Sequence, residues 1–365
     1  MTTSPITTCS HGSITMRHVA RHRRAGMTLV ELLVVIAILG LLAVTVMPSL
    51  STSAEARRTR EAARIVSSYI AKAQSRAIGR PEWAGFWLTT PVSNPSVSNP
   101  SANFSMDFSL ADVPTVFRGN SIPATGTGSR LGSSFVISGS NIGIVSGTAG
   151  DLVRLDGKPP WYAFQTGATD QFTIGLRNGI TSENVNQTPL NTPWPSETGA
   201  HTFEILRQPV RAGSPLSLAD GRCIDLSWSG YGGSNLATYS TWSGLGGTAL
   251  AASCPLPAPQ SPPQSIAVLF DGTGRLRQLF YNSDRVSISG PVFLLVGRTD
   301  RAGNNFASLS ATDDSLGANW QYSDSFWIAI DPLSGVAKTA ECSPNPANVF
   351  ASQSFIRSEI VSGGR

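Results

Sequence analysis

One long apolar run dominates the hydrophobic pattern of this chain, and it occurs once. From Met27 to Leu50 the only charged residue is Glu31. These 24 residues span about 36 Å as a helix, enough to cross a hydrocarbon core of about 30 Å. From Ala54 to Arg80 the pattern becomes amphipathic. Ala62, Val66, Tyr69, Ala73 and Ala77 recur at steps of three and four with Ile70 beside them, which makes one stripe on a helix. Basic residues fill the other face, and Gly79 and Pro81 stop the helix. The two stretches predict a single helix from Met27 to about Ile78, near 75 Å long. Its second half needs something to pack on.

Beyond residue 81 the period shortens to two. Strands are predicted at Trp83–Thr89, Ser134–Ser138, Leu152–Leu155, Phe172–Leu176, Thr202–Leu206 and Cys223–Trp228. Further strands are predicted at Ser265–Phe270, Arg275–Tyr281, Val292–Val296, Phe326–Ile330 and Gly335–Ala340. Two hairpins stand out, "IAVLFDGTGRLRQLFY" (266–281) about Asp271–Gly274 and "FWIAIDPLSGVAKTAEC" (326–342) about Asp331–Gly335. The tandem "VSNPSVSNPS" (92–101) and the proline-rich "PLPAPQSPPQS" (255–265) read as extended surface insertions. The expected fold is α+β. A long N-terminal helix, transmembrane over 27–50 and amphipathic over 51–80, packs on an antiparallel sheet or sandwich over 81–365. Loop insertions are expected near 91–101 and 255–265.

Charge narrows the class. The net +4 comes from Arg17, Arg21, Arg23 and Arg24 in residues 1–26, whereas residues 81–365 carry sixteen basic against twenty acidic side chains. A body of that sign is no generic polyanion binder. Three of the four histidines (His11, His18, His22) precede the apolar run, and His201 in "HTFEIL" reads as a strand-surface residue. Neither a His-based triad nor a multi-histidine metal site finds its partners. Asp313 and Asp314 read as solvated loop acids, and no enzyme activity, metal or cofactor is expected. Cys223, Cys254 and Cys342 lack CxxC spacing, so one disulfide with one thiol left over is the expectation outside the cytoplasm, with the pairing open.

The carboxylate in the apolar run sets the functional question, because a charge at mid-span costs about 2.5–3.5 kcal/mol on insertion scales. A secretory signal peptide cut near "STSAEA" (51–56) accounts for the basic start but not for the length or for Glu31. A plain signal anchor accounts for the length alone. The order of basic leader, Gly26, Met27 and an acid four residues on resembles the class III signal of type IV prepilins and type II secretion pseudopilins. In that family the leader is cut before the apolar segment and the new N-terminus is methylated. The resemblance implies cleavage after Gly26, N-methylation of Met27, an assembly role for Glu31 and a proline counterpart in Pro48. Met27 departs from the family's usual Phe, and a start at Met16 gives a leader of more typical length. The physics agrees with the match. Cleavage creates an ammonium at Met27, about 6 Å along the axis from Glu31, able to pair with it or with the acid of a neighbouring subunit. Pro48 predicts a bend.

"ARRTREAARIVSSYIAKAQSRAIGRPEWAGFWL" (56–88), with "CIDLSW" and "VLFDGTGRL", is similar to the GspH/FimT group of minor pseudopilins. The added length allows for insertions or an extra region. "GRLR" (274–277) resembles the Gly-Arg-x-Arg motif of DNA-uptake minor pilins, which would make Arg275 and Arg277 phosphate contacts on one strand face. The resemblance thus implies a structural subunit of a pseudopilus or pilus. It would be anchored in the inner membrane with its N-terminus cytoplasmic and its body periplasmic. Its partners would be a prepilin peptidase/N-methyltransferase, other pilins, the assembly platform and the membrane. DNA binding and a membrane-anchored extracytoplasmic binding protein remain the alternatives.

Overall fold

The computed structural model describes residues 28–89, 104–120, 124–131, 134–143, 145, 147, 151–175, 199–219, 221–233, 239–242, 265–281, 284–288, 290–303 and 317–362. For residues 42–53, 265, 281 and 284 it gives the backbone alone. The expected insertions at 91–101 and 255–264, Gly26, Met27, Cys254, Asp313 and Asp314 lie outside the described residues. Helix α1 runs from Leu29 to Ala77 and continues through Pro48. The chain divides into two compact units, residues 1–52 and 53–365.

In the first unit every described side chain from Thr28 to Leu41 is exposed, including Leu29, Val30, Leu32, Leu33, Ile36 and Leu39. Of the expected span Met27–Leu50, Met27 and the side chains of residues 42–50 lie outside the description. Among the described residues no helix is long and apolar enough to cross a membrane.

The second unit is antiparallel in every described strand pair and is built of three sheets. In chain order its first strands are β1 (Ala84–Thr89), β2 (Phe104–Ser105), β3 (Asp107–Asp112), β4 (Thr125–Leu131), β5 (Ser134–Ser138) and β6 (Leu152–Leu155). Then come β7 (Lys158–Ala168), β8 (Gln171–Gly175), β9 (Ala200–Leu206), β10 (Val210–Ser217), β11 (Arg222–Gly232) and β12 (Tyr239–Thr241). The last are β13 (Ser265–Phe270), β14 (Leu276–Tyr281), β15 (Asp284–Ser287), β16 (Val292–Arg298), β17 (Phe326–Ile330) and β18 (Ala337–Glu341). Two short helices, α2 (Val349–Ser352) and α3 (Ser354–Ser362), end the description. The first sheet has the order β10-β3-β1-β13-β14-β15, and the second β12-β11-β16-β17-β18 with β2 beside β11.

The predicted stripe of α1 lies in the main core. Ala62, Val66, Tyr69, Ile70, Ala73 and Ala77 are buried against alternate residues of both sheets, such as Phe86, Leu88, Val268 and Phe270 from the first and Leu294, Val296, Ile328 and Ile330 from the second. The residues between them point to the opposite faces, as the two-residue period requires. Phe293, Leu295 and Trp327 pack beneath α2 and α3, and Trp87, Ala267 and Leu269 form a smaller cluster with Phe280. Ion pairs flank the stripe. Arg76 and Arg80 both reach Asp112, and buried Arg222 holds Glu55. Hydrogen bonds from Arg76 hold the Asp112 carboxyl below its usual range, and those from Arg222 do the same for Glu55.

Both predicted hairpins form, and their turns meet the end of α1. Gln74 Nε2 donates to the carbonyls of Gly274 at 3.0 Å and Ser334 at 2.7 Å. Gly79 N–H donates to Gly272 O at 2.9 Å, and Leu276 N–H to Pro332 O at 3.2 Å. Gly335 sits at φ 68° in this knot, where a Cβ would come within 1.9 Å of Gly274 O.

The added region is a closed six-stranded barrel, β4-β5-β8-β7-β6-β9, inserted between β3 and β10. Its interior is filled by Phe135, Phe164, Phe172, Phe203, Ile137, Ile174 and Ile205. Asp156 at φ 52° and Gly157 at φ 66° make the two-residue β6–β7 turn, the geometry that an Asp-Gly pair favours. Four of the six barrel strands, β5, β6, β8 and β9, fall on expected strands, whereas β4 and β7 escaped the pattern. Thr125–Leu131 contains two glycines, and Lys158–Ala168 carries Pro159 and Pro160 at its start, where a strand tolerates them.

Strand β11 runs four residues past its expected end at Trp228 because a wide bulge between Asp225 and Gly230 is repaired by side chains. Ser229 Oγ donates to Asp225 O, and Leu295 N–H donates to Ser229 Oγ at 2.9 Å. Asp225 is fully buried; its carboxylate accepts from Ser227 N–H at 3.1 Å and from Asn319 Nδ2 at 3.0 Å. Burial outweighs these bonds and raises its pKa to about 7.

Two outcomes test this account. Gly335→Ala meets both positive φ and a backbone collision, and costs more than about 2 kcal/mol. Gly79→Ala meets positive φ in open space and costs about 1 kcal/mol. Urea denaturation of the full chain in detergent should rank them in that order. Second, Asp225 ionises near pH 4 when unfolded but holds its proton to about 7 when folded. Its contribution is therefore fully present below pH 4, falls by up to about 1.4 kcal/mol per pH unit as pH rises towards 7, and is flat above. The lowered carboxylates Glu55, Asp112, Asp156, Glu204, Asp271 and Asp300 act below that window. Asp225→Asn should flatten the slope between pH 4 and 7 in the same denaturation measurement.

Candidate functional site

The first candidate site is the start of α1. Thr28 precedes the first helical residue, and its Oγ1 accepts the Glu31 N–H at 3.2 Å. Thr28-x-x-Glu31 is the spacing of a capping box, and an acid in the first turn faces the unpaired N–H groups there. This local role for Glu31 was legible in the sequence and went unread beside the assembly role. Glu31 is exposed at the end of an exposed apolar helix face, which leaves its carboxylate accessible to a cation from another molecule. Gly26 and Met27 precede the described residues. The backbone at Pro48 is helical, and its side chain is not described.

The second candidate is the "GRLR" hairpin. Asp271 organises the turn, its Oδ1 accepting from Thr273 N–H at 2.9 Å, Thr273 Oγ1 at 2.6 Å and Arg275 N–H at 3.1 Å. Burial alone would raise the Asp271 pKa, but these bonds hold it below the usual value. Arg275 and Arg277 are both exposed, with buried Leu276 between them. The β13–β14 register slips between Leu269 and Phe270, leaving Arg277 as the extra residue of a bulge. Its guanidinium lies 5.9 Å from the centre of the Trp83 ring.

The structure relocates the chemistry expected elsewhere. His201 is buried rather than on a strand surface, because β9 closes the barrel and the β6–β7 turn covers it. Its Nδ1 lies 2.7 Å from Asp156 Oδ2, and Thr202 N–H donates to Asp156 Oδ1 at 2.9 Å. Cys223 and Cys342 are buried free thiols, so a disulfide between them is absent. Burial pushes the Cys342 thiol up to about 12 and raises that of Cys223 as well. Among the described residues no group of three or more His, Cys, Asp or Glu could hold a metal ion.

Residues 21–47 match the family model described as the prokaryotic N-terminal methylation motif. The match includes Gly26, Met27 and Glu31 and ends one residue before Pro48. No curated protein and no solved structure matches the chain. The motif implies processing by a prepilin peptidase and assembly with other pilins, and it supports the type IV pilin and pseudopilin family for this chain.

Proposed function

We propose that the chain is a minor pilin-like structural subunit of a type II secretion pseudopilus or type IV pilus, of the GspH/FimT kind. Residues 27–50 anchor it in the inner membrane, with the leader cytoplasmic and the body periplasmic. A prepilin peptidase cuts after Gly26 and methylates Met27, and the assembly platform then feeds the subunit into the filament. It is a substrate of enzymes and not itself one. The observation that carries this reading is the exposed apolar face of residues 29–41 with one acid in its first turn. Exposed apolar surface on that scale needs a cover. Lipid serves before assembly and the helices of neighbouring subunits serve after it. Glu31 then pairs with the Met27 ammonium of a neighbour, which offsets the desolvation of both charges.

Mass spectrometry of the protein recovered from cells should find N-methylated Met27 as the mature terminus. Glu31→Ala should be cut normally yet be lost from sheared filaments, whereas normal incorporation removes the role given to Glu31. A second reading, DNA contact through Arg275 and Arg277, is favoured by the exposure of both side chains. The double Arg275→Ala, Arg277→Ala variant should then lower duplex binding and flatten its salt dependence by about two phosphate contacts. Equal binding by both proteins in a filter assay ends that reading.

A further inference from the structure

Where the barrel meets the first sheet, three cavities of about 360, 480 and 690 Å³ run into one another. The first two share Trp83, Trp161 and Leu206 as walls. The second and third share Thr115, Val116, Arg118 and Glu204. Shared walls make them one elongated groove. Trp83, just before β1, and Trp161, on β7, are both half-buried and both line the first two cavities. Arg277 lies over Trp83 at 5.9 Å and Arg154 over Trp161 at 4.9 Å. Arg154 Nε donates to Glu204 Oε2 at 2.9 Å and Arg118 Nε to Glu204 Oε1 at 3.0 Å. Burial would raise the Glu204 pKa, but these two arginines hold it below its usual value. Gln278 adds an amide to the same wall.

The shape and lining select a ligand class. An elongated groove suits a linear chain better than a compact metabolite. Nucleic acid is disfavoured because Glu82, Glu204 and Asp156 line the groove among its arginines, and Glu204 already holds both Arg118 and Arg154 in ion pairs. Peptide capture by strand addition needs an open edge; β1, β6, β7, β9 and β14 are each paired on both sides, which leaves the four-residue β15 as the edge among the described strands at the groove. Two indoles flanked by guanidinium, carboxylate and amide groups match a polymer with apolar C–H faces and many hydroxyls. The indoles take the faces, and the planar polar groups take the hydroxyls in pairs. We propose that this groove binds a linear saccharide chain, with Trp83 and Trp161 as its stacking platforms. The barrel thereby makes the subunit an adhesive one, whichever filament carries it.

The test uses the full chain in a detergent without a sugar headgroup. Hexasaccharides of β-1,4-linked glucose, β-1,4-linked N-acetylglucosamine and α-1,4-linked galacturonate are titrated by calorimetry and indole fluorescence. At least one should bind with quenching, at a dissociation constant below about 1 mM. Trp161→Ala should weaken it at least about tenfold, the loss of about 1.4 kcal/mol expected for one stacking platform, while Trp161→Phe restores most of it. Should Trp161→Ala fail to fold, exposed Arg277→Ala serves instead, with a weakening of about threefold or more expected from the lost hydrogen bonds. Binding of none of the three hexasaccharides at millimolar concentration overturns the proposal. So does full binding by the folded variants, or tighter binding of a thymidine oligonucleotide or an acidic peptide that Trp161→Ala abolishes.

Discussion

The body depends on one contact, the alanine-rich stripe of α1 against two sheets at once. Ala62, Ala63, Ala73 and Ala77 join Val66, Tyr69 and Ile70 in one core with residues of both sheets. Each sheet could cover only one side of such a helix. Together they bury its apolar stripe. The two hairpin turns and the Arg76–Asp112 pair then fix the depth and angle of the helix end, where apolar packing is least directional. Removing the stripe would leave the inner faces of both sheets without a partner, and at about 25 cal/mol per Å² such exposure exceeds the stability of an ordinary domain.

The same segment was the most legible part of the sequence. Helical spacing from Ala62 to Ala77 and continuous apolar runs such as 266–270 and 326–330 agree with the burial found, and the Asp271–Gly274 and Asp331–Gly335 turns join their strands as expected. Those signals are local, and packing reinforced each of them. The barrel was hidden because two of its strands, β4 and β7, break local rules, as does β10 in the first sheet. Residues 125–131 contain two glycines, residues 158–168 open on two prolines, and residues 210–217 hold Gly213 and Pro215 at a sheet edge. Closure of the barrel, which no short window contains, makes the first two segments strands, and pairing with β3 makes the third one. The "LDGK" turn at 155–158 was an available signal for the missed hairpin.

The candidate sites divide in the same way. Gly26, Met27 and Glu31 are legible because a processing enzyme reads consecutive residues, so the information is linear by necessity. The groove was invisible because Trp83, Trp161 and Glu204 come from distant stretches and meet only through topology. His201 shows the reverse error, in which a residue typical of surfaces is enclosed by a turn that sequence spacing does not reveal.

Val210 pairs with Asp112, so the chain leaves the first sheet at the end of β3 and re-enters it at the neighbouring position on β10. The entire barrel hangs from a gap that a short turn would bridge. Such an insertion can be gained, exchanged or lost without altering the register of any strand in the sheet. What the barrel presents on its surface is thereby separable in evolution from the helix and sheets that carry it.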